Sequence, residues 1–257
     1  MVSVYAFAAA AVALISTTDA LQGEVIASSL PKGQYYRPTG DLVSGRPTAT
    51  TPFRRGPCPA VNTLANHGYI PRDGQNVSKA EIKQAVMTYF NIDEAGADTF
   101  VNPLPAVFDI NQLSVHNKLE HDGSLVHADS YLGEDPASVN RAMLKDVYSR
   151  FTPEGVLGVD QLADLRKDRL ATCMAKNPNC TFGATQVFLA YGEAVLVLSG
   201  FGDVNEKVVD KDTLQSFLEF ERFPENFERP DLFTKASLLI TAGEIQALVA
   251  AKTTSLE

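Results

Sequence analysis

The chain has 257 residues, with 22 Lys and Arg against 31 Asp and Glu, which gives a formal net charge of −9. This length allows one large domain with a sizeable core, and 45% hydrophobic with 21% charged residues excludes a mainly disordered or multi-span membrane chain. The acidic balance argues against nucleic acid as a partner, because phosphate binding needs clustered Lys and Arg.

The N-terminal segment has the pattern of a signal peptide. Residues 2–15 are apolar except for Ser3, which is too short a stretch to span a bilayer, and Ala20 offers a small residue for cleavage. We therefore expect a signal peptide over 1–20, a mature domain over 21–257, a secreted extracellular protein and no later membrane span. Secretion would make Asn76 and Asn179, both in Asn-X-Ser/Thr, candidate glycosylation sites.

Helical signals dominate the rest of the chain. After a Pro-rich, Gly-rich extended stretch over 31–57, Pro59 suits the first turn of a helix that stops at Gly68, and a capping box from Ser78 to Glu81 opens another. Further helices are expected over 105–119, from Asp135-Pro136 to Phe151, from Asp160 to Cys173, and over 182–199, 211–221 and 242–252, the last opened by a capping box from Thr241 to Glu244. No alternating strand pattern persists, so we predict a single compact, mainly α domain with few or no strands.

The chain has three cysteines, Cys58, Cys173 and Cys180. The last two lie seven residues apart across a turn-forming stretch, so they could close a small disulfide loop. Cys58 would then be the unpaired one. A lone thiol in a secreted protein is buried and inert, paired with another molecule, or used chemically.

Cys58 is also the first of three candidate chemical sites. Pro57 and Pro59 fix the backbone on both sides, and the thiol lies at the mouth of a helix, where free N–H groups favour an anion. We expect a lowered thiol pKa there and a thiolate able to bind a metal or haem iron. The alternative is a buried structural cysteine.

The second candidate is the run from Glu120 through His121 and Asp122 to Ser124, in which three ionisable side chains precede a glycine. Glu120 and Ser124 supply hard oxygen ligands suited to Mg²⁺ or Mn²⁺, and His121 could handle a proton. The alternative is a solvated helix end.

The third candidate is Glu193, a carboxylate inside an otherwise apolar stretch over 187–198. A buried, ionised Glu is rare unless it is paired, so the pattern favours a carboxylate placed in an apolar cavity for acid–base work. The alternative is a side chain that reaches water or a structural partner.

These three sites together resemble a known family. The stretch from Pro57 through Cys58, Asn62 and His67 to Gly74 is similar to the proximal cysteine motif of the haem-thiolate peroxidases, which include fungal chloroperoxidase and the unspecific (aromatic) peroxygenases. Glu120-His121-Asp122 resembles the second motif of that family, and Glu193 stands where its distal acid–base group is expected. The resemblance covers roughly residues 40 to 220.

The resemblance implies a role for each site. Cys58 would be the axial thiolate of haem b. Glu120, the His121 carbonyl and Ser124 would hold a structural Mg²⁺ or Mn²⁺ beside a haem propionate. Glu193 would move a proton during cleavage of hydrogen peroxide. His121 would orient Glu193, in place of the arginine of the longer peroxygenases, so the chain looks like the short peroxygenase type.

The expected function is that of a secreted haem-thiolate peroxygenase, which inserts oxygen from hydrogen peroxide into small apolar or aromatic substrates. Peroxidase activity, and oxidation of halide, are expected side activities. Two alternatives remain at this stage: a secreted helical interaction protein of the same fold without haem catalysis, and a divalent-metal hydrolase using Glu120, His121 and Asp122. The hydrolase alternative gives Cys58 no role.

Overall fold

The computed structural model describes residues 22–23 and 25–254, so the expected signal peptide over 1–20 lies outside the described residues. From residue 40 onward, the described chain is mainly helical, as predicted. Its α-helices are α1 (Pro59–Asn66), α2 (Lys79–Phe90), α3 (Glu94–Val101), α4 (Arg141–Ser149), α5 (Val159–Lys176), α6 (Ala184–Phe201), α7 (Lys211–Leu218) and α8 (Lys235–Thr254). Short 3-10 helices occupy Gly40–Leu42, Ile110–Ser114 and Ser130–Leu132.

Within the described residues, the strands are only two or three residues long and form three separate pairs. Two pairs are antiparallel and one is parallel. The parallel pair is β1 (Val43–Ser44) with β2 (Phe53–Arg54), and the antiparallel pairs are β3 (Val77–Ser78) with β4 (Val107–Phe108) and β5 (Val156–Gly158) with β6 (Val208–Asp210). These pairs tie loops together between helices and do not form a layer of their own.

Helix α6 lies at the centre of the core. Ala194, Val195 and Leu198 are fully buried on it, and α8 packs against both α5 and α6. Within the described residues, α6 is the one helix long and apolar enough to cross a membrane, but 67% of it is buried inside the protein. Its apolar character is therefore that of a core helix.

The helices that precede the candidate sites begin where local signals place them. Cys58 is the N-cap residue of α1, and Pro59 occupies its first turn. The capping box of α2 is confirmed: the Glu81 amide donates to Ser78 Oγ at 3.1 Å, and the Ser78 amide donates to Glu81 Oε2 at 2.9 Å.

The predicted helix over 105–119 is wrong. This stretch forms β4 and the 3-10 helix Ile110–Ser114, and Asn117 has a left-handed backbone. The Ile110 amide donates to the distant Gly74 carbonyl at 2.8 Å, so a long-range bond replaces the intrahelical one. Sequence periodicity cannot register such a competing partner.

Two helix starts differ from the prediction, and one helix was not predicted. The Asp135 carboxylate accepts from the Gly45 amide at 2.8 Å and does not cap a helix; α4 begins at Arg141 instead, with Asn140 as its N-cap. Helix α8 begins at Lys235, so the capping box predicted from Thr241 is wrong. Helix α3, capped by the Asp93 side chain, was not predicted at all.

Arg169 joins α5 to the segment that holds the second candidate site. Its side chain is 7% exposed and donates to the Leu125 carbonyl at 2.9 Å, the Met143 carbonyl at 3.1 Å and Asp146 Oδ2 at 2.8 Å. All three nitrogens of this guanidinium therefore donate a hydrogen bond.

We predict that Arg169→Met lowers the free energy of unfolding by about 1–3 kcal/mol, because it leaves Asp146 Oδ2 and two carbonyls without their donor. The pKa of Asp146 is lowered: burial raises it, but Arg169 and Arg150 outweigh burial. The pairing therefore stabilises the fold above the ordinary Asp value of 3.8, and is lost as pH falls through the lower folded value. Urea unfolding at neutral and acidic pH measures both effects.

The matched control is Arg150→Met, which removes a more exposed partner of the same Asp146. An exposed pair contributes about 1 kcal/mol or less. An Arg169→Met protein no less stable than this control would contradict the assignment.

Candidate active site

The Cys58 thiol faces an internal cavity at the start of α1. Cys58 is unpaired, whereas the other two cysteines are joined. Burial raises the pKa of Cys58 to about 11, although the amides of Val61 and Ala60 favour the thiolate. The sequence analysis expected a lowered pKa, and this is wrong for the thiol without a bound metal. Desolvation raises the pKa by more than the amides at the helix terminus lower it. A thiolate at this position needs a bound cation.

A buried polar network holds the loop that carries Cys58. The Asn62 amide group pairs with both backbone groups of Gly56, at 3.0 and 2.8 Å, and also donates to Glu221 Oε1 at 2.6 Å. Arg37 forms an ion pair with the other Glu221 oxygen at 2.9 Å. Asn62 on α1, together with Glu221 and Arg37 from distant parts of the chain, therefore fixes the backbone around the thiol.

The cavity beside Cys58 is mostly apolar. Its walls include Val86, Phe90, Phe100, Leu189, Leu196 and Phe201. The polar residues in the same walls include Cys58, Ser124, His127 and Glu193. The first and third candidate sites, Cys58 and Glu193, therefore meet in this cavity, and the second candidate site reaches it through Ser124.

Glu193 projects from α6 into this cavity and contacts His121. Protein surrounds the Glu193 side chain, which is nonetheless 36% accessible because it faces the cavity. His121 Nε2 lies 3.2 Å from Glu193 Oε2, and His121 Nδ1 lies 2.7 Å from the Asp122 carbonyl. The carbonyl can only accept, so Nδ1 carries a proton. The contact between Nε2 and Glu193 then requires one further proton, on either group.

The two groups stabilise each other in their charged forms. Burial would raise the pKa of Glu193, but His121 outweighs it and the pKa is lowered. Burial would lower the pKa of His121, but Glu193 outweighs it and the pKa is raised. Burial and pairing therefore oppose each other in both groups, and the pair titrates as one unit.

Comparison with known proteins accounts for this combination of thiol, cavity and carboxylate. The family model described as "Peroxidase, family 2" matches residues 34–232. The chain belongs to this family. It is the family of the fungal haem-thiolate peroxidases, as the sequence resemblance indicated. The expectation of an enzyme that acts on hydrogen peroxide is therefore confirmed.

Several curated proteins are similar to the chain. An aromatic peroxygenase of Cyclocybe aegerita is 28% identical over 270 residues, covering 91% of this chain and 71% of that protein. An aromatic peroxygenase of Coprinellus radians is 28% identical over 207 residues, covering 68% and 78%. A chloroperoxidase of Leptoxyphium fumago is 50% identical over 38 residues, covering 15% and 10%.

The residues present fit the haem that this family implies. A flat, largely apolar macrocycle suits the apolar walls, and Cys58 offers a sulfur that no other cysteine binds. The cavity also provides a separate carboxylate, Glu193, for work on a ligand. A structural cysteine buried away from any cavity, the alternative considered for Cys58, does not match this position.

The segment over 120–124 is buried and is not the solvated helix end considered as an alternative. Glu120 is 9% exposed and Asp122 is fully buried. Glu120 Oε2 lies 2.9 Å from His116 Nδ1, a partner that sequence reasoning missed although the residues are four apart. Asp122 Oδ1 is buried without a partner in the described part of the chain.

The Cys173–Cys180 disulfide is present, as predicted, and its loop braces the same segment. The Thr181 amide, next to Cys180, donates to Asp122 Oδ2 at 2.9 Å, and Asn177 within the loop donates to Asp129 Oδ2 at 3.1 Å. Asp129 Oδ1 in turn accepts from the Gly123 amide at 2.8 Å. The disulfide therefore supports the backbone that presents His121.

Two residues near the site went unassigned in the sequence. His127 lines the cavity, and burial lowers its pKa to about 4, so it is neutral at pH 7. Arg166 of α5 is 2% exposed and donates to the Gly123 carbonyl at 2.6 Å, while its Nε and Nη1 have no partner within the described residues. The sequence places Arg166 three residues before Arg169 on one face of α5. This spacing could have indicated a buried pair, but two arginines three residues apart are also common on solvated helices.

Proposed function

We propose that this protein is a haem-thiolate peroxygenase of the short type, in which Cys58 binds the haem iron and Glu193 moves the proton in peroxide cleavage. One observation carries the proposal: Cys58 and Glu193 line the same apolar cavity. Bound haem would supply the iron at which peroxide binds and is reduced, and a thiolate ligand favours O–O cleavage.

The chain's own part is to hold and transfer one proton. Glu193, kept as a carboxylate by His121, would accept a proton from one oxygen of hydrogen peroxide. It would then return this proton to the other oxygen, which leaves as water. His121 fixes the carboxylate through Nε2, while the Asp122 carbonyl fixes His121 through Nδ1. His127, neutral at pH 7, does not compete as an acid in the cavity.

The apolar walls of the cavity indicate the substrate class. Phe100, Leu189 and Leu196 line the same cavity as Glu193, and such apolar surface favours small apolar or aromatic molecules and limits water. The names of the Cyclocybe and Coprinellus relatives are consistent with aromatic substrates. Halide is proposed as a further small substrate, in line with the chloroperoxidase among the relatives.

A structural Mg²⁺ or Mn²⁺ held by Glu120, the His121 carbonyl and Ser124 remains part of the proposal. Burial raises the pKa of Glu120, although His116 opposes this, so a cation beside this carboxylate would restore its charged form. Among described residues, the one close group of three acidic, His or Cys ligand atoms is Asp122 with Cys173 and Cys180. Disulfide sulfurs leave that group unsuited to a hard ion.

Secretion and glycosylation are also proposals. Asn76 and Asn179 are both exposed, which is compatible with a glycan on each. The disulfide suits an oxidising compartment.

We predict that Cys58→Ala abolishes the red-shifted Soret band that a thiolate-bound ferrous haem gives with carbon monoxide. Cys58→His serves as the control, because an imidazole retains haem iron without the thiolate band. Absorbance spectra of the purified proteins measure both. An unchanged thiolate-type spectrum in Cys58→Ala would rule out this ligand.

Glu193→Gln keeps the shape of the side chain but removes the proton acceptor. We expect an almost unchanged haem spectrum and a peroxide reaction slower by roughly 10² or more, the usual scale for general acid–base catalysis. His121→Ala should slow the reaction less, because it only orients Glu193. Stopped-flow mixing with peroxide measures these rates, with the exposed carboxylate variant Glu206→Gln as control. A Glu193→Gln protein that reacts at the parental rate would overturn the mechanism.

Elemental analysis of the gently purified holoenzyme should find about one Mg or Mn per chain, and Glu120→Gln should lose it because the carboxylate supplies the charge. Strong chelation should lower the melting temperature of the parent and leave that of Glu120→Gln unchanged. Glu134→Gln, which alters an exposed carboxylate, is the control. A metal-free parent, or an ion retained in Glu120→Gln, would contradict this site.

A further inference from the structure

A chain of packed aromatic rings runs between the cavity and the protein surface. Tyr69 and Tyr89 stack with ring centroids 3.9 Å apart, and each lies 5.9 Å from Phe223. Phe223 stacks on Phe90 at 5.7 Å, and Phe90 contacts Phe201 at 5.9 Å. Five rings are therefore connected by direct contacts.

The two ends of this chain lie at different openings. Phe90 and Phe201 belong to the walls of the Cys58 cavity. Tyr69 belongs to the wall of a separate groove on the surface, beside Lys32, Arg72 and Ile70. The Lys32 ammonium lies 5.7 Å from the centre of the Tyr69 ring. The ring chain thus joins the proposed haem site to a solvent-accessible position that the cavity itself does not reach.

We infer that Tyr69 is a second oxidation site, at which phenols too large for the cavity give up electrons that reach the haem through this aromatic chain. The inference rests on the proposed function, because peroxide reduced at the haem is the oxidant. It adds a substrate position, a route and a substrate class that oxygen insertion inside the cavity does not require.

The ring types along the chain favour this role. Tyrosine is oxidised far more easily than phenylalanine, and both tyrosines lie at the groove end, while phenylalanines fill the interior between them and the cavity. Close stacking lets the Tyr69 and Tyr89 rings share the loss of an electron. Of the two tyrosines, Tyr69 is the one that lines the groove.

The substrate class follows from the chemistry of Tyr69. Tyr69 loses one electron to the oxidised haem site and its phenolic proton to water in the groove. A phenol in the groove then transfers a hydrogen atom to it, which breaks the phenol O–H bond and restores Tyr69. This exchange between two phenols is nearly balanced in energy. Overall, two phenols and one hydrogen peroxide give two phenoxyl radicals and two waters.

The first test looks for the radical itself in the holoenzyme. The parent, mixed with peroxide and frozen within milliseconds, should show a tyrosyl radical by electron paramagnetic resonance. Tyr69→Phe combined with Tyr89→Phe keeps both rings packed and should remove at least nine tenths of that signal. Tyr131→Phe is the matched control, because Tyr131 is 54% exposed, lies outside the chain of rings and should keep the signal.

The second test compares two substrates of different size. A phenol coupled to dextran cannot enter the cavity, whereas toluene can. The double variant should lower the ratio of dextran-phenol oxidation to toluene oxygenation at least tenfold, and Tyr131→Phe should leave the ratio unchanged. A parent without a tyrosyl radical, a radical that survives in the double variant, or an unchanged ratio would each overturn the inference.

Failure of the proposed function gives a different result. A parent that shows no thiolate-type haem spectrum and does not oxygenate toluene would refute the peroxygenase itself. A parent that oxygenates toluene but oxidises dextran-phenol independently of Tyr69 and Tyr89 would refute only the second site.

Discussion

The structure depends on keeping a thiol and a carboxylate fixed in the walls of one apolar cavity. Burial in the cavity disfavours the charged form of both groups, because it raises the pKa of Cys58 to about 11 and would also raise that of Glu193. Support therefore comes from the outer side of each group. Asn62 and Glu221 hold the Cys58 loop, and His121 with the Asp122 carbonyl holds Glu193. The cavity can stay apolar because the polar partners lie behind its walls.

The supporting groups are themselves polar and buried, so they need hydrogen-bond partners of their own. Next to the disulfide, the Thr181 amide donates to the Asp122 carboxylate. From α5, Arg166 and Arg169 donate to the carbonyls of Gly123 and Leu125. Arg166 Nε and Nη1 have no hydrogen-bond partner among the described residues, so this polar network is not fully satisfied within that part of the chain. A buried cation close to a buried carboxylate costs less than either alone, and Arg166 lowers the pKa of Glu193 together with His121.

Sequence reasoning succeeded where the signal and its partner are neighbours in the chain. Pro59 and the Ser78 capping box placed helix starts, and the cysteine motif with Glu193 gave the family and the contents of the cavity. It failed where the partner is distant. Gly74 draws Ile110 away from a helix, and Glu221 supports Cys58 from 163 positions further along the chain, without a pattern that marks it. His116 was missed for a different reason, since its pairing with Glu120 is local but ordinary.

The same apolar walls that allow oxygen transfer also restrict it to molecules that fit among Phe100, Leu189 and Leu196. Larger molecules cannot meet the oxidant directly, but electrons do not need an open path. Aromatic packing, which stabilises the core between α2, α6 and the segment after α7, also places conjugated rings in contact from Phe201 to Tyr69. One packing arrangement thus separates two kinds of chemistry by size: atom transfer inside the cavity and electron transfer at the surface. The tyrosines at the groove end are what distinguish such a route from an ordinary phenylalanine core.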